Sequence, residues 1–584
     1  MISLPPAFIF MLGAIILLFL PQRARSGFFL LVPAVAFILL ILLPPDAAFA
    51  LPFLNFKLDL LRTDLLSLCF AYIFVIITFL GGIYGFHVRD TAEQASTLLY
   101  AGSALGVVFA GDLITVLVFW EIMAVSSVYL IWARGTDLSR GAGMRYLMVH
   151  LFGGSLLIAG ILLYFNQHGT TAFGGMDGST GGYLILFSFC INAAVPPLHA
   201  WLSDAYPEGT VTGSVYLSAF TTKTAVYVLA RGFAGWEILA WAGAVMAVYG
   251  VVYAAMQNDI RRILAYHIIS QVGYMVCGVG IGTALAVDGA TAHAFTHILY
   301  KALLFMGAGT VLYITGFSKL TQLGGLFRKT PGVFFLFMVG ALSISGLPLF
   351  SGFVSKSIII YSAELEHLRA IYVLLNMASV GTFLSIALKL AYFTWFGKER
   401  KLDPQSVPLG MYIGMGLTAL TCIIIGVYPG ILYNILPYPI DYQPYTYEHV
   451  MNTILLFLFT GLIFWWLKDS LKGKNTIVLD TDWFYRRPAR LADRLFVQGT
   501  GWAFGVVESA VKQLIKSARR FALNPASPFA EDKSSAGTAA AKNVNLAAGQ
   551  QFDADKYRLS SGLMIILLIL FFVILLVAGI VQMR

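Results

Sequence analysis

Residues 113–133 read LITVLVFWEIMAVSSVYLIWA, an apolar run of twenty-one residues with one formal charge, Glu121, near its middle. A helix of that length spans about 30 Å, the thickness of a bilayer's hydrocarbon core. A carboxylate at that depth costs at least about 2.5 kcal/mol on insertion scales, so it is a functional candidate with a partner to be named. The same pattern recurs at Lys223 in YLSAFTTKTAVYVLA (216–230), Lys301 in AHAFTHILYKALLFMGAG (292–309) and Lys389 in FLSIALKLAYF (383–393). Four isolated charges inside four apolar stretches point to movement of ions or protons.

The rest of the 584 residues fit a multi-pass membrane chain. Hydrophobic residues make up 59% and charged residues 11%, with a mean hydropathy of +0.80, far more apolar surface than a soluble domain can bury. About sixteen spans are expected, all helical, the last at 562–581. The stretch 183–232 reads either as two spans or as one broken span, and 351–364 as a short re-entrant piece. The first span carries neither a basic leader nor a cleavage site and reads as a retained helix. Alternating the spans from an outside N-terminus puts fourteen Arg and Lys residues in one set of loops and five in the other. The positive-inside rule then places the basic loops in the cytoplasm and both chain ends outside. The net charge of +9 is accounted for by topology, and nucleic-acid binding is not expected.

Composition divides the chain further. Helices at 1–93 precede a core at 94–400, and further spans occupy 401–467. The segment 468–523 alternates basic and apolar residues: Trp483, Leu491, Leu495, Trp502, Val506 and Leu514 recur at helical steps opposite Arg490, Arg494, Lys512 and Lys516. It predicts an amphipathic lateral helix, kinked near Gly499, Gly501 and Gly505, that lies on lipid or on a neighbouring subunit. A flexible Ala/Ser/Asn-rich linker, 524–560, and a terminal anchor, 561–584, complete the chain.

Lysine at the buried positions has a chemical meaning, because its proton affinity responds to burial where that of arginine does not. A carboxylate facing Lys223 would keep that lysine charged, and weakening the pair would release the proton. His293, His297 and Lys301 are spaced i, i+4, i+8 and share one helix face. An imidazole accepts on one nitrogen and donates on the other, so this stripe suits a proton wire. As a metal site it lacks a third ligand, and no metal is expected. His267, Gln271 and Tyr274 form a weaker polar stripe that suits either proton transfer or hydrogen bonding between helices. His199, Asp204 and Glu208, in AVPPLHAWLSDAYPEG (194–209), mark a proline break where an ion enters or where ordinary loop residues sit. A second proline break, SGLPLFSGFVSKS (345–357), lies between Lys301 and Lys389, as the first lies between Glu121 and Lys223. Interrupted segments in two halves are a trace of repeated transporter architecture. Cys69, Cys190, Cys277 and Cys422 stand singly in apolar spans and read as packing residues.

GDLITVLVFWEIM (111–123), PPLHAWLSDAYPEGTVTGSVYLSAFTTKTAVYVLARG (196–232), QNDIRRILAYHIISQVGYM (257–275), HAFTHILYKALLFMGAG (293–309) and GLPLFSGFVSKS (346–357) resemble the antiporter-like membrane subunits. That family includes the D-type subunit of Mrp-type Na+/H+ antiporters and the proton-pumping chains of complex I and membrane-bound hydrogenases. The resemblance covers about 60–430, and 196–231 resembles the D-type group in particular. It implies two inverted five-helix repeats with broken helices, and a Glu–Lys pair, Glu121 and Lys223, feeding a polar axis. His293, His297 and Lys301 would form that axis and Lys389 its exit. No nucleotide, flavin, haem or cluster motif is present, so no cofactor is expected. The expected role is a proton-translocating subunit of a multisubunit Na+/H+ antiporter in the cell inner membrane. Its partners would be other hydrophobic subunits, contacted in part by 483–520. The alternatives are a subunit of a redox-driven pump and a non-transporting scaffold.

Overall fold

A computed structural model describes residues 4–44, 46–474, 476, 478–481, 483, 494 and 498–523. The chain divides into two units, one ending at Arg490 and one beginning at Leu491. The linker and terminal anchor expected beyond 523 lie outside the described residues.

The first unit is helical. Helices α1 (Pro6–Phe19) and α2 (Gln22–Leu42) lead into a hairpin, β1 (Ala48–Phe53) paired antiparallel with β2 (Phe56–Arg62). Then come α3 (Leu65–Tyr84), α4 (Thr91–Phe109), α5 (Leu113–Trp132), α6 (Asp137–His168) and α7 (Thr180–Asn192). An irregular stretch carries the short α8 (Ala200–Ala205) and α9 (Gly213–Leu217) before α10 (Thr221–Gly232). The second half has α11 (Glu237–Met256), α12 (Ile260–Ile281), α13 (Ala284–Thr315), α14 (Pro331–Ser345), α15 (Ser351–Leu365) and α16 (Arg369–Thr382). Helix α17 (Leu409–Val427), the short α18 (Gly430–Tyr433) and α19 (Tyr447–Leu467) follow.

Ten of the described helices are long and apolar enough to cross a membrane, and α1, α7 and α14 are shorter apolar helices. The expectation of about sixteen spans therefore exceeds the full-length crossings described. The surplus consists of α1, α7, α10 and α14, which are short, of the less apolar α4, and of the span expected at 562–581, outside the described residues. Residues 351–364 are the buried α15, which meets α14 at a break. The hairpin is unanticipated, because every ordered segment was expected to be helical; Lys57, Asp59, Arg62 and Asp64 separate its apolar residues from α3 and read as a loop. Asp112 ties it to the core, because its side chain caps α5 at Ile114 N and Thr115 N and accepts from Asp59 N at 2.7 Å.

Helices α12 and α13 form the centre. The apolar window of α12 is completely buried and that of α13 is 83% buried, against 17% for α19 at the periphery. Helix α11 packs on α12 backbone to backbone: a Cβ at Gly243 would overlap Cys277 N, and one at Gly273 would overlap Ala247 N. Beyond α16 the same span continues as wide π-helical turns, Phe383–Leu390 and Tyr392–Phe396. Such turns are rare and concentrate at functional sites.

In the second unit, α20 (Gly499–Leu523) runs as one helix through Gly501 and Gly505. Trp502, Val506 and Leu514 are exposed on it. The part of the lateral helix expected at 484–493 lies outside the described residues.

Candidate functional site

Helix α13 brings His293, His297 and Lys301 to one buried face, as their spacing requires, and none is accessible. His293 is held at both ring nitrogens. Nδ1 is 3.0 Å from Ser355 Oγ on α15, and Nε2 is 3.2 Å from Gln271 Oε1 on α12 and 3.3 Å from Tyr300 Oη. The His297 ring lies 6.2 Å from that of His293 and 5.2 Å from that of Tyr300. Neither His297 nitrogen nor Lys301 Nζ has a hydrogen-bond partner among the described residues. Buried polar groups are nearly always satisfied, so three free atoms in a row mark a place where structure alone does not dictate the side chains.

Two helix breaks flank this face, each with a buried lysine. At the first, Lys223 begins α10 just after the irregular turn 218–220 and donates to Ser218 O at 2.5 Å and Thr222 Oγ1 at 3.1 Å. At the second, Lys356 on α15 reaches back to Ile344 O on α14 at 2.7 Å, with its Nζ 5.1 Å from the Tyr274 ring centre. Each lysine thus satisfies a carbonyl near its break, as the interruption of a buried helix demands. Lys223 and Lys301 lie within electrostatic range of His297, and Lys356 of His293 and His267. Lys356 was not among the candidates from sequence, because Ser351, Ser355 and Ser357 lower the hydropathy around it. The signal was available: GLPLF breaks the helix just before a lysine.

Glu121 is half-buried on α5 and turned toward α6. Its Oε1 occupies space that a Cβ at Gly154 would fill and has no hydrogen-bond partner among the described residues. No hydrogen bond or ion pair among them joins it to Lys223. A chain of hydroxyls joins α5 and α6 to the start of α10: Ser127 Oγ is 2.8 Å from Tyr146 Oη, which is 3.4 Å from Thr221 Oγ1, itself 2.6 Å from Tyr100 Oη. Beside them His150, also unanticipated, sits 3.0 Å from Asn192 Oδ1 and packs on Tyr146 and Trp201.

His267 Nε2 is 2.6 Å from Ser385 Oγ in the π-helical turn, and Gln271 Nε2 donates to Thr382 Oγ1 at 3.4 Å. One turn beyond Ser385, Lys389 lies at the end of α11, not in mid-span. Its Nζ donates to Ala255 O and, at 2.9 Å, to Gln257 O. A lysine on the last carbonyls of a helix suits the negative end of its dipole.

The residues of the first proline break have structural partners. Arg145 Nε donates to Asp204 Oδ2 at 2.6 Å, and Arg134 Nη1 to Glu208 Oε2 at 2.9 Å. His199 is buried with Nε2 3.1 Å from Asp480 Oδ1. Asp480 also accepts from Tyr249 Oη, Tyr266 Oη and, at 2.6 Å, Thr481 N, while Thr481 Oγ1 donates to Pro197 O at 2.9 Å. Burial alone would raise the Asp480 carboxyl. The hydrogen bond and charge of His199, with the two tyrosine hydroxyls, more than offset this and hold it below the usual carboxylate range.

Comparison with known proteins agrees with this architecture. The family described as NADH:quinone oxidoreductase/Mrp antiporter, transmembrane, matches residues 110–385. An uncharacterized protein of Methanocaldococcus jannaschii is 33% identical over 60% of this chain and 78% of its own length. The D-type subunit of the Na(+)/H(+) antiporter of Alkalihalophilus pseudofirmus is 31% identical over 52% of this chain and 65% of its own. Among solved structures, a chain of the membrane-bound sulfane sulfur reductase, an archaeal respiratory membrane complex, superposes with a TM-score of 0.69. That likeness covers 97% of this chain and all of the other at 23% identity, and it concerns the fold. The matched family model, these relatives and the shared fold together make the chain a member of the NADH:quinone oxidoreductase/Mrp antiporter family of multi-pass membrane subunits.

Proposed function

We propose that this chain is the proton-translocating subunit of a multisubunit Na+/H+ antiporter. One observation carries the reading: two helix breaks, each with a buried lysine, flank a third lysine and a histidine, Lys301 and His297, that no hydrogen bond among the described residues accounts for. Glu121 would gather a proton through the Ser127–Tyr146–Thr221 hydroxyls and govern the charge of Lys223. Release from Lys223 would pass the proton to Lys301 and His297, with water bridging the free nitrogens, and then through His293 and Ser355 to Lys356. Lys389, joined to His267 through Ser385, would serve the mouth on the side of the basic loops. Burying unpaired cations destabilises a fold, so their retention is understandable where protonation changes do the work. The partners are other membrane subunits, and the basic loops face the cytoplasm.

The test is reconstitution of the native complex in vesicles with an imposed proton gradient, followed by addition of sodium. Sodium-driven proton movement that is lost in Lys223→Ala supports the antiporter. The likeness to a respiratory-complex chain over 97% of this chain favours a second reading, the pump arm of a redox-driven assembly. Co-purification of peripheral subunits with flavin or iron–sulfur absorbance, and proton movement that follows electron transfer, would select it.

A further inference from the structure

After α19, residues 470–472, 474, 476, 478 and 479 lie beside the end of α11 and line with it an open cavity of about 600 Å³. Ala255 and Met256 form one wall, Lys389 the floor, and Lys472, Lys474 and Val478 the other wall. Three lysines line it, and none of its lining residues among those described is acidic. Lys389 gives two of its three donors to the α11 carbonyls, which leaves one for a ligand. The strap along this cavity is fixed at both sides. A Cβ at Gly473 would overlap Asn258 Oδ1, and Asp480 is tied by His199, Tyr249 and Tyr266.

The depth of this cavity can be read from its surroundings. Helix α19 ends in Trp465 and Trp466, 63% and 82% exposed, with Lys468 Nζ 4.2 Å from the Trp465 ring centre. Exposed tryptophans followed by lysine are the signature of the membrane–water interface, and the cavity wall begins two residues later, at Ser470. Met256 and Leu479 expose apolar surface at its rim. We infer that this cavity binds the phosphate headgroup of an anionic phospholipid, with the lysines on the phosphate and the apolar rim against the upper acyl chains. Inorganic phosphate shares the charge but has no use for the rim. The inference shares Lys389 with the transport reading, and its test rests on Lys472 and Lys474, which take no part in that reading.

The test places the purified native complex in nanodiscs of phosphatidylcholine, with or without phosphatidylglycerol, and measures by mass spectrometry the lipid retained after detergent extraction. The wild type is expected to retain phosphatidylglycerol selectively. The double variant Lys472→Gln/Lys474→Gln is expected to retain roughly tenfold less or lower, because each interfacial lysine contributes on the order of 1 kcal/mol to anionic-lipid binding. Lys472→Arg/Lys474→Arg should restore retention, and Lys57→Gln, an exposed lysine outside the cavity, should leave it unchanged. Undiminished retention in the double Gln variant would overturn the inference. So would displacement of the lipid by millimolar inorganic phosphate in the wild type, which would give the cavity to a soluble anion.

Discussion

The centre of α13 and the Asp480 latch are both buried and charged, yet they are built on opposite plans. At the latch the charge faces its complement: one carboxylate receives two tyrosine hydroxyls, an imidazole and a backbone amide, and only the far nitrogen of His199, Nδ1, has no partner among the described residues. At α13, Lys301 Nζ and both His297 nitrogens face no polar partner among the described residues. The first plan fixes a geometry. The second leaves protonation states free to change, because nothing but burial and neighbouring charge holds them. A buried ion without its complement is a poor structural element and a good carrier.

The largest effects should come from breaking the carrier side. Lys356→Ala and Lys223→Ala should each lower proton flux by about two orders of magnitude, the scale of losing a positioned proton-transfer group. Insertion and assembly should be retained, as read from membrane yield and size-exclusion behaviour. Normal flux in Lys356→Ala would remove the second break from the route. Gly154→Val tests the entry without touching a charge. The new side chain takes the place of Glu121 Oε1, so flux should fall, and Gly154→Val with Glu121→Gln should be no worse than Glu121→Gln alone.

The latch predicts a different signature. Asp480→Asn should destabilise the docking of the strap by about 2–4 kcal/mol, the penalty for breaking a buried charged network. Proteolysis within 468–483 reports it. The pH dependence follows from the depressed carboxyl. Its contribution is complete above the unfolded value, about 4, and disappears as pH falls through the lower folded value. Wild-type protection should therefore persist at neutral pH and fade only in strong acid, whereas Asp480→Asn should be susceptible throughout. Unchanged proteolysis in Asp480→Asn would show that the strap is held elsewhere. The smallest effect is expected at Lys389, which sits at a helix end. Lys389→Glu should keep part of the flux, since either side chain can exchange a proton there; a dead Lys389→Glu beside an active Lys389→Ala would contradict this.

What could be read from the sequence divides along the same line. Glu121, Lys223 and Lys301 announce themselves because a charge in an apolar run needs no structure to be conspicuous, and the i, i+4, i+8 spacing places both histidines with Lys301. Lys389 is equally conspicuous, but hydropathy does not reveal that the end of α11 lies against it. Lys356 was hidden by Ser351, Ser355 and Ser357, which make a buried helix read as a short re-entrant piece. The latch has no local signal at all, since His199 and Asp480 are 281 residues apart. The hairpin was hidden because Lys57, Asp59, Arg62 and Asp64 make its second strand read as a loop before α3. Local chemistry is legible in sequence; which element a long-range contact brings alongside is not.

The most direct test of the carrier account is Lys301→Met in the reconstituted complex, with proton flux and thermal stability measured on the same preparation. Methionine matches the shape of lysine without its charge and removes a buried cation that has no complement. The account predicts that flux is lost while stability is unchanged or higher, by up to about 1–4 kcal/mol. Flux retained at the wild-type rate would contradict it.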